Sequence, residues 1–332
     1  MSIVALQSFL EPIRHFLDDP NLEEIIVNRP GEVFVENAGV FSRYVVPELS
    51  IKRLLDVAAL IATFSNQNVS EETPLLSAIL PEGHRVQVVM PPACPADMFG
   101  IAIRKPSTRD FGLSDYEQSG AFKPCLRNAD VRAKPVDYEL AQLLRSERIA
   151  DFLKLAIQSR KNIIISGGTS SGKTTLLKSF IKEINLDERI LTIEDVQELF
   201  IPQQNKLHLL ASRGEQGKAQ VTVQSLLEAC LRLRPDRIML GELRGAEAFF
   251  FLRAINTGHP GSISSLHADT PDLCFEQLCM LVLQASIGLS RSEILDYVKS
   301  IIDIVIQFNR FHDGFRGMSD IYFRHRDLSH EH

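Results

Sequence analysis

The sequence predicts an α/β protein in two parts: a small mixed α+β unit, then a larger unit whose sheet is covered by helices on both faces. Three observations predict it. The chain has 332 residues, room for about two domains of ~100–200 residues. From residue 147 onward strand-like and helix-like runs alternate, which is the pattern of an α/β sheet. Between the two units, residues 106–146 lose hydrophobic periodicity: Pro106, Ser107, Pro124 and Pro135 interrupt it, and charges are frequent. The expected division is an N-terminal domain at 1–105, a linker at 106–146 and a second domain at 147–332. A linker of this length is unusual in a compact chain and is expected to serve a function.

The elements follow from spacing. Ile3, Leu6, Phe9, Leu10, Ile13, Phe16 and Leu17 recur at helical intervals. Strands are expected at 25–28, 33–36 and 40–46, separated by Arg29-Pro30-Gly31 and Asn37-Ala38-Gly39, which are turn chemistry. Residues 50–66 return to a helical period, and 84–91 and 99–105 alternate like strands. Within the linker, 113–119 reads as a short helix. The second unit reads as helix 147–159, strand 161–166, helix 172–185, strand 189–194, helix 222–233 and strand 237–241. Helix 244–256, strand 262–266, helices 270–285 and 291–302, and strands near 303–308 and 319–324 complete it.

Composition excludes several classes. Hydrophobic residues are 45% and charged residues 23%, so the bulk of the chain can build a core. The net charge is −6, not the global footprint of a nucleic-acid binder, and no direct sequence-specific nucleic-acid binding is expected. No apolar run approaches the roughly 18–20 residues of a membrane-spanning helix. The N-terminal stretch lacks a basic start and is interrupted by Glu11 and Arg14, so it reads as an amphipathic helix rather than a signal peptide. Five cysteines, at 94, 125, 230, 274 and 279, form no C-x-x-C pair. A reducing compartment fits this better than a disulfide framework or a zinc site.

Gly167-Gly168-Thr169-Ser170-Ser171-Gly172-Lys173-Thr174, followed by Thr175, fits the phosphate-loop pattern G-x-x-x-x-G-K-[ST]. Glycines let backbone N–H groups turn inward around phosphate oxygens, Lys173 reaches the β- and γ-phosphates, and the Thr174 hydroxyl ligates Mg²⁺. The helix behind the loop presents its positive end to the anion. A strand before and a helix after the loop are the context that this motif demands. Residues 237–242 are an apolar strand ending in Glu242, with Gly241 where many such sites carry Asp. Glu194 and Asp195 close another strand, and ligands gather at the carboxyl ends of strands in α/β sheets. Taken alone, Glu194 could equally cap a helix, and Glu242 could be a solvated residue. His267 follows strand 262–266, where it could sense a γ-phosphate or be merely structural. Arg85 and Arg104 sit in strands of the first unit, and an exposed strand arginine needs no partner.

Together, GGTSSGKTT (167–175), TIED (192–195), LRLRPDRIMLGELRG (231–245) and TGHPGSISSLHADTP (257–271) resemble the secretion ATPases, the hexameric motors of type II secretion, type IV pili and type IV secretion. The four blocks occur in the order Walker A, Asp box, Walker B, His box. The segments 22–36 and 79–92 of the first unit are most similar to the type IV secretion branch, and no tetracysteine module of the type II branch is present. The resemblance implies a RecA-like P-loop ATPase domain preceded by a smaller α+β N-terminal domain, with ATP and Mg²⁺ bound between them. It implies Walker A roles for Lys173 and Thr174, an Asp-box role for Glu194 and a Walker B role for Glu242. His267 would be the phosphate sensor, and Arg85 and Arg104 would approach the phosphates from the first domain. It further implies a homo-hexamer at the cytoplasmic face of the inner membrane, in contact with secretion-channel and coupling proteins, with peripheral membrane association. The output would be pilus assembly and translocation of protein or DNA. A nucleotide-gated assembly platform with little hydrolysis, suggested by Gly241, and a pilus-retraction motor are the competing readings.

Overall fold

The computed structural model describes residues 2–106, 112–122, 134–212 and 218–328. Ser107, Pro124 and Cys125 lie outside them. The chain opens with α1 (Ser2–Leu10), a 3₁₀ turn at Glu11–Ile13 and α2 (Arg14–Asp18). The helical spacing of 3–17 is therefore real but broken: Pro12 has no N–H to donate and enters as the first turn of a new segment. Leu6, Leu10, Ile13, Phe16 and Leu17 still bury one stripe.

Strands β1 (Glu24–Val27), β2 (Glu32–Asn37) and β3 (Val40–Val45) precede α3 (Ile51–Phe64), then β4 (Leu75–Ile79), β5 (Arg85–Val89) and β6 (Gly100–Arg104). They form an antiparallel sheet in the order β3-β2-β1-β6-β5-β4. Ser50 caps α3 by accepting the Arg53 N–H at 3.3 Å. One face of the sheet packs on the helices through Ile25, Val27, Val33 and Val35. The other face, with Ile26, Phe34, Val89 and Ala102, packs on the second unit. Burial on both faces explains why β1 is buried throughout and its Ile25-Ile26-Val27 run does not alternate.

The stretch read as linker contains α4 (Leu113–Gln118) and α5 (Pro135–Arg145). Pro135, read as a pattern breaker, is the first residue of α5, where its fixed φ and missing N–H cost nothing. Leu140 and Ala141 of α5 are buried with the second sheet, so this helix stands with that unit. There follow α6 (Ile149–Gln158), β7 (Ile163–Ser166), α7 (Lys173–Ile181), β8 (Ile190–Glu194), β9 (Lys206–Leu210), α8 (Val223–Cys230) and β10 (Arg237–Leu240). Then come α9 (Glu247–Asn256), β11 (Ile263–Leu266), α10 (Pro271–Leu283), α11 (Arg291–Ile301), β12 (Ile304–Arg310) and β13 (Arg316–Phe323).

The second sheet runs β13-β12-β7-β11-β10-β8-β9, parallel except for β13. Within β7, Ile164 faces one core while Ile163 and Ile165 face the other, under α5, α6 and α7. Helices thus cover both faces, as the alternating pattern predicts. Sequence reading misses β4 and β9. In β9 the buried His208 disguises an apolar strand. Its Nδ1 lies 2.8 Å from Thr192 Oγ1 on the neighbouring strand, which satisfies the ring.

The first sheet sits beside β9. Leu210 donates its N–H to Ala93 O at 2.8 Å, which satisfies part of an otherwise open edge. Gly100 leaves room for the neighbouring sheet here, since a Cβ at that position would come 2.6 Å from Leu207 Cδ2 and displace it. Polar groups are buried in the same seam. Arg189, with no exposure, donates to Asn28 Oδ1 at 2.6 Å and to Asn205, and Asn28 donates to Asn205 at 2.9 Å. Burial lowers the Arg189 pKa to about 9. Arg234 holds the buried Glu36 carboxylate with two donors.

Candidate active site

The loop 167–172 leaves the carboxyl end of β7, and α7 begins at Lys173. Its path needs left-handed or unusual φ at Gly167 (+159°), Ser170 (+59°) and Gly172 (+108°). Gly167 could carry no side chain, because a Cβ there would lie 2.1 Å from Phe308 O. Its N–H donates to Leu266 O at 3.3 Å, which ties the start of the loop to β11. The Ser171 hydroxyl is buried without a partner among the described residues, and Thr174 is exposed at the helix start.

Four strand ends converge around this loop, because β7, β11, β10 and β8 are parallel neighbours. They deliver Lys173, His267, Glu242 and Glu194 to one cleft of about 1060 Å³. Lys173 Nζ donates to Gly167 O at 2.7 Å and Gly168 O at 2.9 Å, and lies 3.3 Å from His267 Nδ1. An ammonium only donates, so Nδ1 accepts and the ring proton sits on Nε2. That nitrogen lies 2.6 Å from Glu242 Oε1. Arg244 donates to Glu242 Oε2 at 2.6 and 3.0 Å and to Asp195 Oδ2 at 2.9 Å. Its hydrogen bond to Glu242 raises its pKa further. Burial lowers the pKa of Lys173, an effect that the Glu242 charge opposes. One continuous polar chain, Lys173–His267–Glu242–Arg244–Asp195, therefore links all four motif blocks.

Glu194 is buried. Its Oε1 accepts the N–H groups of Glu198 and Leu199 at 3.0 and 2.9 Å, so it does cap the following turn. Its Oε2 faces no hydrogen-bond partner among the described residues, with His208 Nδ1 3.9 Å away. A Cβ at Gly241 would lie 3.8 Å from Glu194 Cγ. That is an ordinary contact distance, so Glu194 stands directly beside Gly241.

The cleft suits a phosphate chain: it pairs a glycine loop with a helix N-terminus, a buried Lys and an unpartnered hydroxyl. Thr174 is the group that would hold Mg²⁺, which usually binds through one or two protein oxygens plus phosphates. Thr169, Ser170, Ser171, Gly172 and Thr175 line the same cleft, whereas Gly168, next to the loop start, reaches it through its carbonyl on Lys173.

Arg85 and Arg104 do not line this cleft. They face each other across β5 and β6, and Arg104 lies opposite Glu24 with Nε 3.8 Å from its Oε1. Among the cleft residues that the motifs do not cover are Phe308 and Arg316 on the last hairpin. No short pattern marks them, because they reach the loop only through sheet pairing.

Residues 7–308 match the family described as Type II/IV secretion system protein. The chain is 42% identical to the type IV secretion system protein VirB11 of Bartonella henselae over 334 residues, 97% of this chain and 94% of the relative. It is 42% identical to VirB11 of Brucella suis over 321 residues, 95% of this chain and 89% of the relative. The crystal structure of the Brucella suis VirB11 ATPase in complex with sulphate superposes with a TM-score of 0.92 at 40% identity, covering 98% of this chain and 96% of that one.

Proposed function

Since the chain belongs to the Type II/IV secretion system protein family, we propose that it hydrolyses Mg²⁺-ATP at the 167–175 loop to power type IV secretion. That it is a type IV secretion ATPase follows from its relatives. The observation that carries the site assignment is the polar chain from Lys173 to Asp195 across four adjacent strand ends.

In this reading Lys173 exchanges the carbonyls of Gly167 and Gly168 for β- and γ-phosphate oxygens. Mg²⁺, held by Thr174, would neutralise phosphate charge. Glu242, positioned by Arg244 and His267, orients the attacking water, and Glu194 offers its unpartnered oxygen nearby. Drawing Lys173 away removes the donor that His267 Nδ1 accepts from, so nucleotide occupancy is felt through the ring at Glu242.

The first domain (1–105) and the second, with α5 packed on it, would move against each other around the part of the 106–146 stretch that precedes α5. Because Arg85 and Arg104 do not line the cleft of their own chain, they would serve a neighbour's site in a homo-hexamer. An arginine acting there contributes about 10³–10⁵ in rate in other NTPases. The ring would dock on inner-membrane channel and coupling proteins. Peripheral membrane contact would run through them, since no described helix is long and apolar enough to cross a membrane.

Steady-state phosphate release tests the reading. The intact chain should turn over ATP, and Lys173→Ala should fall to background while keeping its circular dichroism spectrum. Unchanged turnover in that variant would reject the loop assignment.

A further inference from the structure

The cleft has two ends, and the motif residues occupy one of them. Strands β11, β10 and β8 lie on one side of β7 and supply His267, Glu242 and Glu194. On the other side β12 pairs in parallel with β7, placing Gln307 beside Ser166. The hairpin of β12 and β13 therefore forms the opposite wall of the cleft, represented there by Phe308 and Arg316.

The hairpin is aimed at the loop. Gln307 pairs with Asp320 but Phe308 pairs with Met318, so Ser319 is an extra residue on β13. Such a bulge bends and twists the pair locally. Beyond it, the Phe308 ring reaches 3.1 Å from where a Cβ on Gly172 would stand, and the Arg316 Cδ reaches 3.4 Å from the same point. Arg316 Nε donates to Ser170 O at 3.0 Å. That bond fixes the arm along the loop and leaves the rest of the guanidinium without a partner among the described residues.

The charges of the cleft single out this side chain. Glu194, Asp195, Glu198, Glu242 and Glu247 line it, against Lys173, Arg244 and Arg316. Arg244 is engaged by Glu242 and Asp195. Arg316 has no carboxylate within ion-pair distance among the described residues, and it is exposed. A polyanion entering this acidic cleft has Lys173 at the hydrolytic end and Arg316 at the other.

We propose that Arg316 is a nucleotide-binding residue that grips the adenosine end of the nucleotide, at the α-phosphate and the base beside it. The direction follows from topology. A γ-phosphate set between Lys173, His267 and Glu242 lies toward β11 and β10, so the adenosine end extends toward β12 and β13. A planar guanidinium suits both contacts there, since it can donate to a phosphate oxygen and stack on a base. Because the Nε bond already orients the arm, little further side-chain order is lost on binding. Phe308 acts as a positioning residue that backs the arm.

The inference rests on the nucleotide assignment made above, and calorimetric titration of the full chain separates the two. The probes are ADP with Mg²⁺ and inorganic phosphate, which enters the loop with neither an α-phosphate neighbour nor a base. Arg316→Ala should weaken ADP binding at least about tenfold and inorganic phosphate binding less than about threefold. Arg316→Gln should do the same, which covers any folding defect of the alanine variant. Lys173→Ala should weaken both probes. Unchanged ADP affinity in both Arg316 variants would overturn the inference. So would equal weakening of the two probes, which would make Arg316 a general anion contact. If the intact chain bound neither probe, the nucleotide assignment itself would fail.

Discussion

Glu242 is the residue whose surroundings best define its task. Its Oε2 accepts two hydrogen bonds from Arg244, and its Oε1 lies 2.6 Å from His267 Nε2. Glu242→Gln keeps volume and loses charge. We expect ATP to bind still while phosphate release drops at least about tenfold, ~1.4 kcal/mol of transition-state stabilisation. Loss of binding together with turnover would instead mark Glu242 as a structural anchor for Arg244. Gly167 makes a sharper steric case. A methyl group at 2.1 Å from Phe308 O cannot be accommodated without separating the loop from β12. Gly167→Ala should abolish nucleotide binding and lower the thermal midpoint by several degrees, whereas Gly168→Ala, with nothing within 4 Å of its Cβ, should leave the midpoint unchanged. Residues such as Lys173 and Thr174 were legible in the sequence because the loop's chemistry requires them side by side. Arg316 was not legible, because it approaches the loop across 146 residues of chain.

At the scale of elements, the seam between the first sheet and β9 holds charged groups that burial makes sensitive. Arg234 is the partner of the buried Glu36 and also lies over the Phe41 ring, 5.6 Å from its centroid. Arg234→Ala would leave that carboxylate uncompensated, a loss of about 3–5 kcal/mol. We expect β2 amides to lose hydrogen-exchange protection before those of β7. Glu24, on β1, carries a linked pH dependence. Burial raises its pKa to about 7, against the pull of Arg104, Arg234 and Arg189 and with the push of Glu36. Between about 4.5 and 7 the folded chain retains a proton that the unfolded chain has released. Stability from this group therefore falls as pH rises through that window and is level above it. Glu24→Gln should be more stable than the parent at pH 8, by up to about 3 kcal/mol, and nearly equal at pH 4.5. Urea midpoints at the two pH values measure this, and a gap that widens toward low pH would contradict it.

For the whole molecule, the decisive fact is that the first sheet docks beside β9 while the loop follows β7. Arg104 does not line its own chain's cleft, and the ring proposal predicts complementation. Arg104→Ala subunits mixed with excess Lys173→Ala subunits should regain turnover, since each Lys173→Ala subunit lends an intact Arg104 to a neighbour's intact loop. Background turnover, with subunit exchange verified by mass, would reject the shared site and leave the ATPase assignment standing. The sequence by itself determined the alternating second unit, the phosphate loop, and the carboxylates and histidine at strand ends. Each of these is a local pattern: hydrophobic period, turn chemistry, or reactive groups that must be contiguous. Only the tertiary structure decided that α5 stands with the second sheet rather than in a linker, that His208 hides a strand, and that Glu194 both caps a turn and lies beside Gly241. It alone decided where the two arginines of the first sheet lie and that the last hairpin walls the cleft. The physical reason is the same in each case. These features depend on which strands become neighbours, and strand pairing joins residues far apart in sequence through buried area and backbone hydrogen bonds that leave no short-range signature.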